Sequence, residues 1–505
     1  MKRYCRTATI AVAAALSVVR PAPTAAQESA ALSKQREAQD VLDRAVGALG
    51  GPEAIGRLET ARVELASTVA NIGQGASPSA PPAEQPPGSV IMHAEAGRAV
   101  YQNYQGENLT FRFVRDPAGS WAHIAGPNTV NEVDLAAAIP FLSRVTLSPM
   151  IVREAMERPE ALRSLGSESS AASTFDVVTY ADPVGRQVTL YFDASSGLLS
   201  RAETVADHAQ FGDQVTAVDF SDYRDLDGLQ VPHKLVRRQG DLVAARTTLT
   251  SLEFGVTADP ALFEKPDDAT EGQPIALPPT GARELEVEEL AEGVFLVPNA
   301  APNYNALFVV YDEGVLVLET PQTPAVSQAV IATIRKHLPD VPIRWAVPTH
   351  YHFDHSGGLY GYVREGITIV TTPGNEEFVR EVAAAPRTIG SPGAGADHVS
   401  VETFAGSRSF GEGSRRVELY DVGPNPHADE IIVAYLPGLD LLFVADLFSF
   451  QGEVNPANEN ALAFAEKLEE LDLDLATVLP VHGERATAEQ FWESVRLGRE
   501  QAEEN

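Results

Sequence analysis

Four side chains of the kinds that bind metals fall within six residues, directly after an apolar strand. The segment RWAVPTHYHFDHSGGL, residues 344–359, carries His350, His352, Asp354 and His355. Strand ends that open into loops are where α/β proteins place their functional sites. Because residues i and i+2 of an extended segment point the same way, His350 and His352 can bind one ion while Asp354 and His355 reach a second. The segment therefore predicts a metal site at the edge of a sheet.

Three later polar residues also stand at the ends of apolar strands. His427 comes shortly after VELYDV, Asp446 ends LLFVAD, and His482 follows ATVLPV. Imidazole and carboxylate are ligands that divalent zinc, iron and manganese accept. Together with the first cluster they form a candidate set of seven metal ligands.

The chain around these residues alternates apolar strands with helices, which is typical of a mixed α/β domain. Strands are predicted at VFLVP, NALFVVY, GVLVLE and RWAVP. Helices are predicted over about 324–337, near Ser356, over about 458–471 and at the C-terminus. We predict that this domain spans residues 284–501.

Residues 28–256 have a different pattern. Short segments such as FRFVR, FDVVTY, QVTLYFD and QVTAVDF are separated by turn signals, which predicts a mostly antiparallel sheet. Helices are predicted near the start of this domain and over about 149–165. The segments YFDASSGLLSRAE and DYRDLDGLQVPHKL resemble parts of the curved sheet of periplasmic lipoprotein-carrier domains.

Two stretches rich in Pro interrupt the pattern. The segment QGASPSAPPAEQPPGS, residues 74–89, has a density of Pro and Ser that predicts a mobile loop with no strand pairing. Residues 257–283 hold several Pro and acidic residues, which predicts a linker between the two domains.

The N-terminus has the composition of a secretory signal. Residues 1–26 contain basic but no acidic side chains around an apolar run, and small residues precede Gln27 and Glu28. Cleavage there would place the mature protein in a bacterial periplasm or outside the cell. Cys5, the one cysteine, lies within this signal, so no disulfide is expected. No later apolar run has the roughly 18 residues of a membrane helix, so no stable membrane insertion is predicted.

Charge limits the choice of partners. Lys and Arg number 38 against 70 Asp and Glu, a formal net charge of −32 that repels phosphate backbones. Nucleic-acid binding is therefore disfavoured, and a small-molecule substrate is expected. The oligomeric state has no signal in the sequence.

The motif HYHFDH, with His427, Asp446 and His482, resembles the metallo-β-lactamase superfamily over about residues 284–501. The resemblance implies a C-terminal αββα sandwich and an overall α/β (α+β) class. It implies that His350, His352 and His427 bind one divalent ion, that Asp354, His355 and His482 bind another, and that Asp446 bridges them. Zinc is expected, with iron or manganese as alternatives. The bridging Asp is similar to that of glyoxalase II, lactonase and phosphoesterase relatives, whereas many β-lactam-cleaving members lack it.

Two positions depart from the family pattern. Ala428 follows the third His where Thr or Ser is frequent, and Glu319 ends GVLVLE where Asp is usual. Both positions orient ligand histidines in the family, so these departures bear on the geometry of the site and its metal affinity.

The expected activity is that of an exported dinuclear hydrolase, in which a metal-bridging hydroxide attacks an ester, lactone, thioester or amide carbonyl. Asp354 is expected to aid proton transfer as well as to bind metal. The alternatives are β-lactam hydrolysis and a non-enzymatic periplasmic protein that binds a lipid or another apolar ligand. Redox chemistry at a di-iron site is a further alternative, disfavoured because no Gly-rich nucleotide loop accompanies the motif.

Overall fold

The structure is a computed structural model of the whole chain. The predicted signal and Cys5 lie outside the residues that the structure describes. So does the part of the predicted linker after residue 272, apart from residue 275. No helix among the described residues combines the length and apolar character that crossing a membrane requires. The described residues are 29–95, 97–117, 119–134, 146–170, 173–272, 275, 284–389 and 399–504.

The N-terminal region, defined here as the described residues up to 275, builds one sheet of 15 strands. Neighbouring strands pair antiparallel, apart from β15, which lies parallel to β7 at one edge. The predicted, mostly antiparallel character of this sheet is confirmed. The strands are β1 Ala61–Asn71, β2 Ala83–Glu84, β3 Gly88–Glu95, β4 Arg98–Gln105, β5 Asn108–Asp116, β6 Gly119–Ile124, β7 Thr129–Glu132, β8 Arg163–Ser169, β9 Thr174–Ala181, β10 Gln187–Asp193, β11 Leu199–His208, β12 Gly212–Leu226, β13 Leu229–Gln239, β14 Leu242–Phe254 and β15 Thr270–Glu271.

Among the described residues, three α-helices pack on this sheet: α1 (Ala30–Ala48), α2 (Pro52–Gly56) and α3 (Ser148–Met156). The buried side chains of α1 recur at helical spacing and join those of the strands in a single apolar core. The helix predicted over about 149–165 is wrong in its second half, where β8 forms instead. Pro159 accounts for the early end, because the residue before a proline is biased away from helical backbone angles.

The Pro-rich segment, residues 74–89, was predicted to form no strand pairing, and this is wrong in part. Residues 83 and 84 form β2 and pair with the end of β1, and β3 begins at Gly88. Gln85 also donates its backbone N–H to the carbonyl of Val69. These residues stand between prolines and keep their own N–H groups, so a short ladder can form where the neighbouring prolines cannot donate.

The C-terminal region, defined here as the described residues from 284 to 504, contains two sheets of seven and six strands. The first runs in the order β16 to β22 and the second in the order β23 to β28, so chain neighbours are also neighbours in space. The strands are β16 Glu288–Ala291, β17 Val294–Ala301, β18 Tyr304–Tyr311, β19 Gly314–Leu318, β20 Ile343–Val347, β21 Thr368–Thr371, β22 Val401–Thr403, β23 Ser407–Phe410, β24 Val417–Asp421, β25 Ile432–Leu436, β26 Leu441–Val444, β27 Thr477–Pro480 and β28 Ala486–Thr487.

Three apolar cores stack these sheets into four layers. One core lies between the two sheets, and each of the other two lies between a sheet and the helices on its outer face. This is the predicted αββα sandwich, which is confirmed. The helices are α4 Pro324–His337, α5 Phe353–Ser356, α6 Leu359–Val363 and α7 Glu376–Ala384 beside the first sheet, and α8 Glu459–Leu471 and α9 Ala488–Glu504 beside the second.

Four strand ends meet at one edge of the sandwich. In the first sheet β20 ends shortly before His350, and in the second sheet β24, β26 and β27 end shortly before His427, Asp446 and His482. Polar residues just past the ends of buried strands are brought together here, because the two sheets pack face to face.

Candidate metal centre

The structure brings all seven predicted ligands into two groups that share one residue. Within each group, one ligand atom per residue lies within 4.8 Å of every other. Asp446 belongs to both groups, which is the arrangement that a bridging carboxylate requires. The first group is His350, His352, His427 and Asp446, and the second is Asp354, His355, Asp446 and His482.

The local backbone explains how one short segment serves both groups. His352 has extended backbone angles and precedes α5, whose first turn carries Asp354 and His355. His352 accepts the backbone N–H groups of His355 and Ser356 at 3.0 and 2.9 Å. His350 and His352 therefore project from an extended stretch, whereas Asp354 and His355 project from a helical turn.

The two carboxylate oxygens of Asp446 face different histidines. Oδ1 lies 3.0 Å from Nε2 of His355 and 3.3 Å from Nε2 of His482. Oδ2 lies 3.2 Å from Nε2 of His427 and 3.9 Å from Nε2 of His350. One carboxylate thus separates two pairs of imidazoles.

The imidazole nitrogens also converge on each other. Nε2 of His350 lies 3.1 Å from Nε2 of His427, and Nε2 of His355 lies 3.3 Å from Nε2 of His482. Nδ1 of His352 is buried and has no hydrogen-bond partner among the described residues. Converging imidazole lone pairs and carboxylates are the donor set of divalent zinc and similar ions, so these residues fit a divalent cation.

The opposite ring nitrogen of each of four ligand histidines contacts a group outside the cluster. Such outer contacts fix the tautomer and the orientation of a ligand histidine. The contacts are His350 Nδ1 with Thr349 Oγ1 at 3.2 Å, His352 Nε2 with the Gly75 carbonyl at 2.9 Å, His355 Nδ1 with Glu319 Oε1 at 3.2 Å, and His482 Nδ1 with the Asn303 carbonyl at 3.0 Å.

The electrostatics of the cluster favour a cation. Burial lowers the pKa of His352 to about 4, so its ring is neutral near pH 7. Burial also acts to lower the pKa of His355, but the carboxylates of Asp446, Glu319 and Asp354 outweigh it and raise that pKa well above its ordinary value. The three carboxylates around His355 thus favour positive charge at this position, which is what a divalent ion supplies.

Exposure separates a closed side of the cluster from an open one. His350, His352 and His355 are 2, 1 and 0% exposed. The other four ligand side chains are between 17 and 25% exposed. A small molecule can therefore approach from the side of Asp354, His427, Asp446 and His482.

The sequence profile of the metallo-beta-lactamase superfamily matches residues 300–482, which contain all seven residues of the cluster. This part of the chain is a metallo-beta-lactamase superfamily domain.

Solved structures similar to the chain include other proteins of this superfamily. A metallo-beta-lactamase from Pontibacter korlensis is 24% identical, covers 43% of this chain and 99% of its own, and has a TM-score of 0.34. The metallo-beta-lactamase FIM-1 from Pseudomonas aeruginosa, in its mono-zinc form, is 20% identical, with 44% and 97% covered and a TM-score of 0.34. Among curated proteins, the chain has no match.

The two departures from the superfamily pattern have different consequences. Glu319 is fully buried, has a φ of +88°, and places its carboxylate on both Nδ1 of His355 and the hydroxyl of Tyr304. The longer side chain therefore still reaches a ligand histidine. Ala428 is buried in the apolar core under the second sheet and offers no polar side chain. Here Asn425 accepts the backbone N–H of His427 at 2.9 Å instead.

Several residues that contact the ligands of the superfamily domain carried no sequence signal. The backbone carbonyl of Asn303 accepts a hydrogen bond from Nδ1 of His482. Gln74 and Gly75 lie in the Pro-rich segment, far from the motif in the chain, and contact Asp354 and His352. These contacts depend on how the two regions pack, which no local pattern records.

Of the two aromatic residues within the motif, one lies in the core and the other at the surface. Tyr351 is 4% exposed and packs edge-on against Phe378 in the core on the outer face of the first sheet. Phe353 is 45% exposed and lies beside the ligands at the surface. His93, His123, His208, His233 and His337 belong to neither ligand group, and His398 lies outside the described residues.

Proposed function

We propose that the protein is a dinuclear metal-dependent hydrolase that cleaves an ester, lactone, thioester or amide bond in a small molecule. The observation that carries this proposal is the position of Asp446. One of its oxygens faces His355 and His482, and the other faces His350 and His427. A carboxylate shared in this way can hold two cations side by side, as two-metal hydrolases require.

Each ion has its own residues in this proposal. His350, His352 and His427 would hold one, Asp354, His355 and His482 would hold the other, and Asp446 would contact both. Divalent ions supply Lewis acidity and lower the pKa of water from about 15.7 toward about 7. Zinc suits this mixture of imidazole and carboxylate, with iron and manganese as alternatives.

Asp354 is the proposed aid to proton transfer. Burial acts to raise its pKa, but His355 and His482 outweigh burial and hold the pKa below its ordinary value. The carboxylate is therefore ionised and can accept a proton but not donate one. Oδ1 accepts a hydrogen bond from Gln74, whereas Oδ2 lies 3.4 Å from Nε2 of both His355 and His482. Oδ2 is thus the oxygen directed into the cluster.

Charge supports a small molecule as the substrate. With a net charge of −32, the protein repels the phosphate backbone of a nucleic acid at moderate salt. The open side of the cluster also bears two carboxylates, Asp354 and Asp446, which a polyanion would have to approach. Acyl compounds of low charge avoid this repulsion.

The test is metal analysis of the purified protein, coupled to a screen of chromogenic lactone, ester, thioester, amide, phosphodiester and β-lactam substrates. We expect about two divalent ions per chain, and acyl hydrolysis that a chelator abolishes and added zinc restores. Turnover of the β-lactam alone would replace the proposed substrate class with the β-lactamase alternative. Failure to bind metal after reconstitution would contradict the proposal and favour the ligand-binding alternative.

We also propose that the protein is exported. The basic and apolar composition of residues 1–26 supports this proposal. When the full chain is produced in a Gram-negative host, N-terminal sequencing should find cleavage before Gln27 or Glu28, and the product should appear in the periplasm or medium. An uncleaved chain in the cytoplasm would contradict export.

A further inference from the structure

The Pro-rich segment of the N-terminal region reaches the metal cluster of the C-terminal region. The carbonyl of Gly75 accepts a hydrogen bond from Nε2 of His352 at 2.9 Å. The side-chain amide of the preceding residue, Gln74, donates to Oδ1 of Asp354 at 3.0 Å. Two adjacent residues thus contact one candidate ligand from each metal group.

The contact with Gly75 determines which nitrogen of His352 is available. A neutral imidazole carries one proton, and a carbonyl accepts only from the protonated nitrogen. Because Nε2 donates to Gly75, Nδ1 keeps its lone pair. Nδ1 is also the ring atom that is buried without a partner among the described residues, and the ring packs 4.5 Å from those of His350 and His427. The N-terminal region therefore holds His352 in the tautomer that a metal needs.

The contact with Gln74 selects an oxygen of Asp354 in the same way. Gln74 occupies Oδ1, and Oδ2 remains 3.4 Å from Nε2 of His355 and of His482. A carboxylate rotates easily about its terminal torsion, so an amide on one oxygen restricts the position of the other. Loss of this amide would leave Asp354 freer to turn away from the cluster.

A second part of the N-terminal region also contacts the same motif. Gln210, which is 0% exposed, donates to the carbonyl of Tyr351 at 2.9 Å and to the hydroxyl of Ser356 at 2.8 Å. The carbonyl of Ala76 accepts the backbone N–H of Asp429, two residues after His427. Contacts from the N-terminal region thus reach three residues of the HYHFDH turn, Ser356 just after it, and a residue beside the third histidine.

We propose that the N-terminal region completes the metal centre, with Gln74 and Gly75 as positioning residues for Asp354 and His352. This inference rests on the proposed function, because it assumes that the cluster binds metal. It assigns the N-terminal region a role in metal affinity and geometry, beyond that of a separate binding or structural domain. Outer partners of metal ligands affect metal affinity by about 10- to 100-fold in other proteins.

The first test substitutes the amide in the full-length chain. In Gln74→Ala we expect one of two zinc ions to bind about 10- to 100-fold more weakly in competition with a chromogenic chelator, because only the group containing Asp354 is affected. Absorption of the cobalt-substituted protein should also change, since it reports ligand geometry independently of activity. Gln85→Ala, which alters an exposed glutamine of the same segment, is the matched control and should match the wild type.

The second test displaces the carbonyl. A Cβ at residue 75 would lie 2.9 Å from the carbonyl oxygen of Pro81 and 3.3 Å from the hydroxyl of Tyr351, so Gly75→Ala must shift the segment. We expect weaker binding at the group containing His352. Gly126→Ala is the control, because its added Cβ has no atom within 4 Å. Circular dichroism and the unfolding temperature show whether each variant retains the fold.

The outcomes separate this inference from the proposed function. If the wild type binds two ions and both variants bind them with unchanged affinity and cobalt spectra, the inference is overturned and the proposed function stands. If the wild type binds no metal, both are overturned. Weaker binding with an altered cobalt spectrum in Gln74→Ala, at an unchanged unfolding temperature, supports the inference.

Discussion

The two regions of the molecule bury their strands in different ways. In the N-terminal region, β10 alternates between buried and more exposed positions, whereas every residue of β19 in the C-terminal region is buried. The N-terminal sheet has its main core under helices on one face, while the sheets of the sandwich are covered on both faces. In the sandwich, β20, β24, β26 and β27 end at the candidate metal centre, and the N-terminal region contributes loop residues to it.

This difference indicates that the strands of the sandwich hold the ligands rigidly, whereas connecting segments of the N-terminal region supply contacts to them. Ligands held at the ends of buried strands have little freedom, which favours a preorganised metal site. Residues on connecting segments, such as Gln74 and Gly75, can approach from another domain without disturbing those strands.

Removal of the shared carboxylate should have the largest effect. We expect Asp446→Ala to lose at least about 100-fold in metal affinity and in chelator-sensitive hydrolysis, because each of the two proposed ions would lose a ligand. Metal content and initial rates measure this effect. His337→Ala, which changes an exposed histidine outside both groups, should behave as the wild type. An active Asp446→Ala enzyme would contradict the shared-ligand arrangement.

Truncation of a side chain between the two sheets of the sandwich should lower the free energy of unfolding far more than truncation at an exposed position of the N-terminal sheet. Leu316 is fully buried in the core between the sheets, whereas Val205 is 43% exposed on β11. We expect Leu316→Ala to destabilise by about 2–5 kcal/mol, and Val205→Ala by about 0.5 kcal/mol or less. Urea unfolding midpoints measure both variants. Similar losses in the two variants would contradict the difference in burial between these two sites.

Arg387 tests the junction between the regions. Its guanidinium is 1% exposed, pairs with Asp207 at 2.9 Å, and donates to the carbonyls of His208, Ala209 and Gln210. We expect Arg387→Ala to destabilise by about 3 kcal/mol, because these acceptors and Asp207 lose their partner. Calorimetry should also show less cooperative unfolding of the two regions. Arg380→Ala, at an exposed arginine on α7, is the control.

The stability of the same junction should depend on pH because of His208. Burial and the nearby Arg387 lower the pKa of His208 to about 4, and its Nδ1 accepts from the backbone N–H groups of Gln210 and Phe211. The unfolded chain binds a proton near the ordinary pKa of about 6.5, before the folded chain does. The stability from neutral His208 is therefore fully present above about pH 6.5 and is lost as the pH falls toward 4.

The corresponding variant is His208→Asn, which keeps an acceptor but does not titrate in this range. We expect the wild type to lose on the order of 1–3 kcal/mol more than His208→Asn between pH 7 and pH 4. Comparison of the two proteins cancels the titration of the other groups. Parallel pH profiles would show that His208 is not held neutral in the fold.

Much of the C-terminal region could be predicted from the sequence because its signals are local. The helix predicted over about 324–337 is α4, which begins with Pro324 after an N-cap Thr323 and ends in three basic residues. The seven candidate ligands stand at or near the ends of apolar runs, so sheet packing brings them together. In the N-terminal region, the helix predicted over about 149–165 is longer than the observed α3. Its apolar pattern continues past the turn at Pro159 into β8.

Strand periodicity and ligand chemistry are encoded locally, so the amino-acid sequence is enough to predict which residues can bind metal and at which strand ends they lie. The atoms that hold those ligands in place are visible only in the folded chain. Gln74, Gly75 and Gln210 meet the HYHFDH turn across more than a hundred residues of chain. Such contacts depend on how two independently patterned regions pack, and a single amide or carbonyl carries no periodic signal that could place it there.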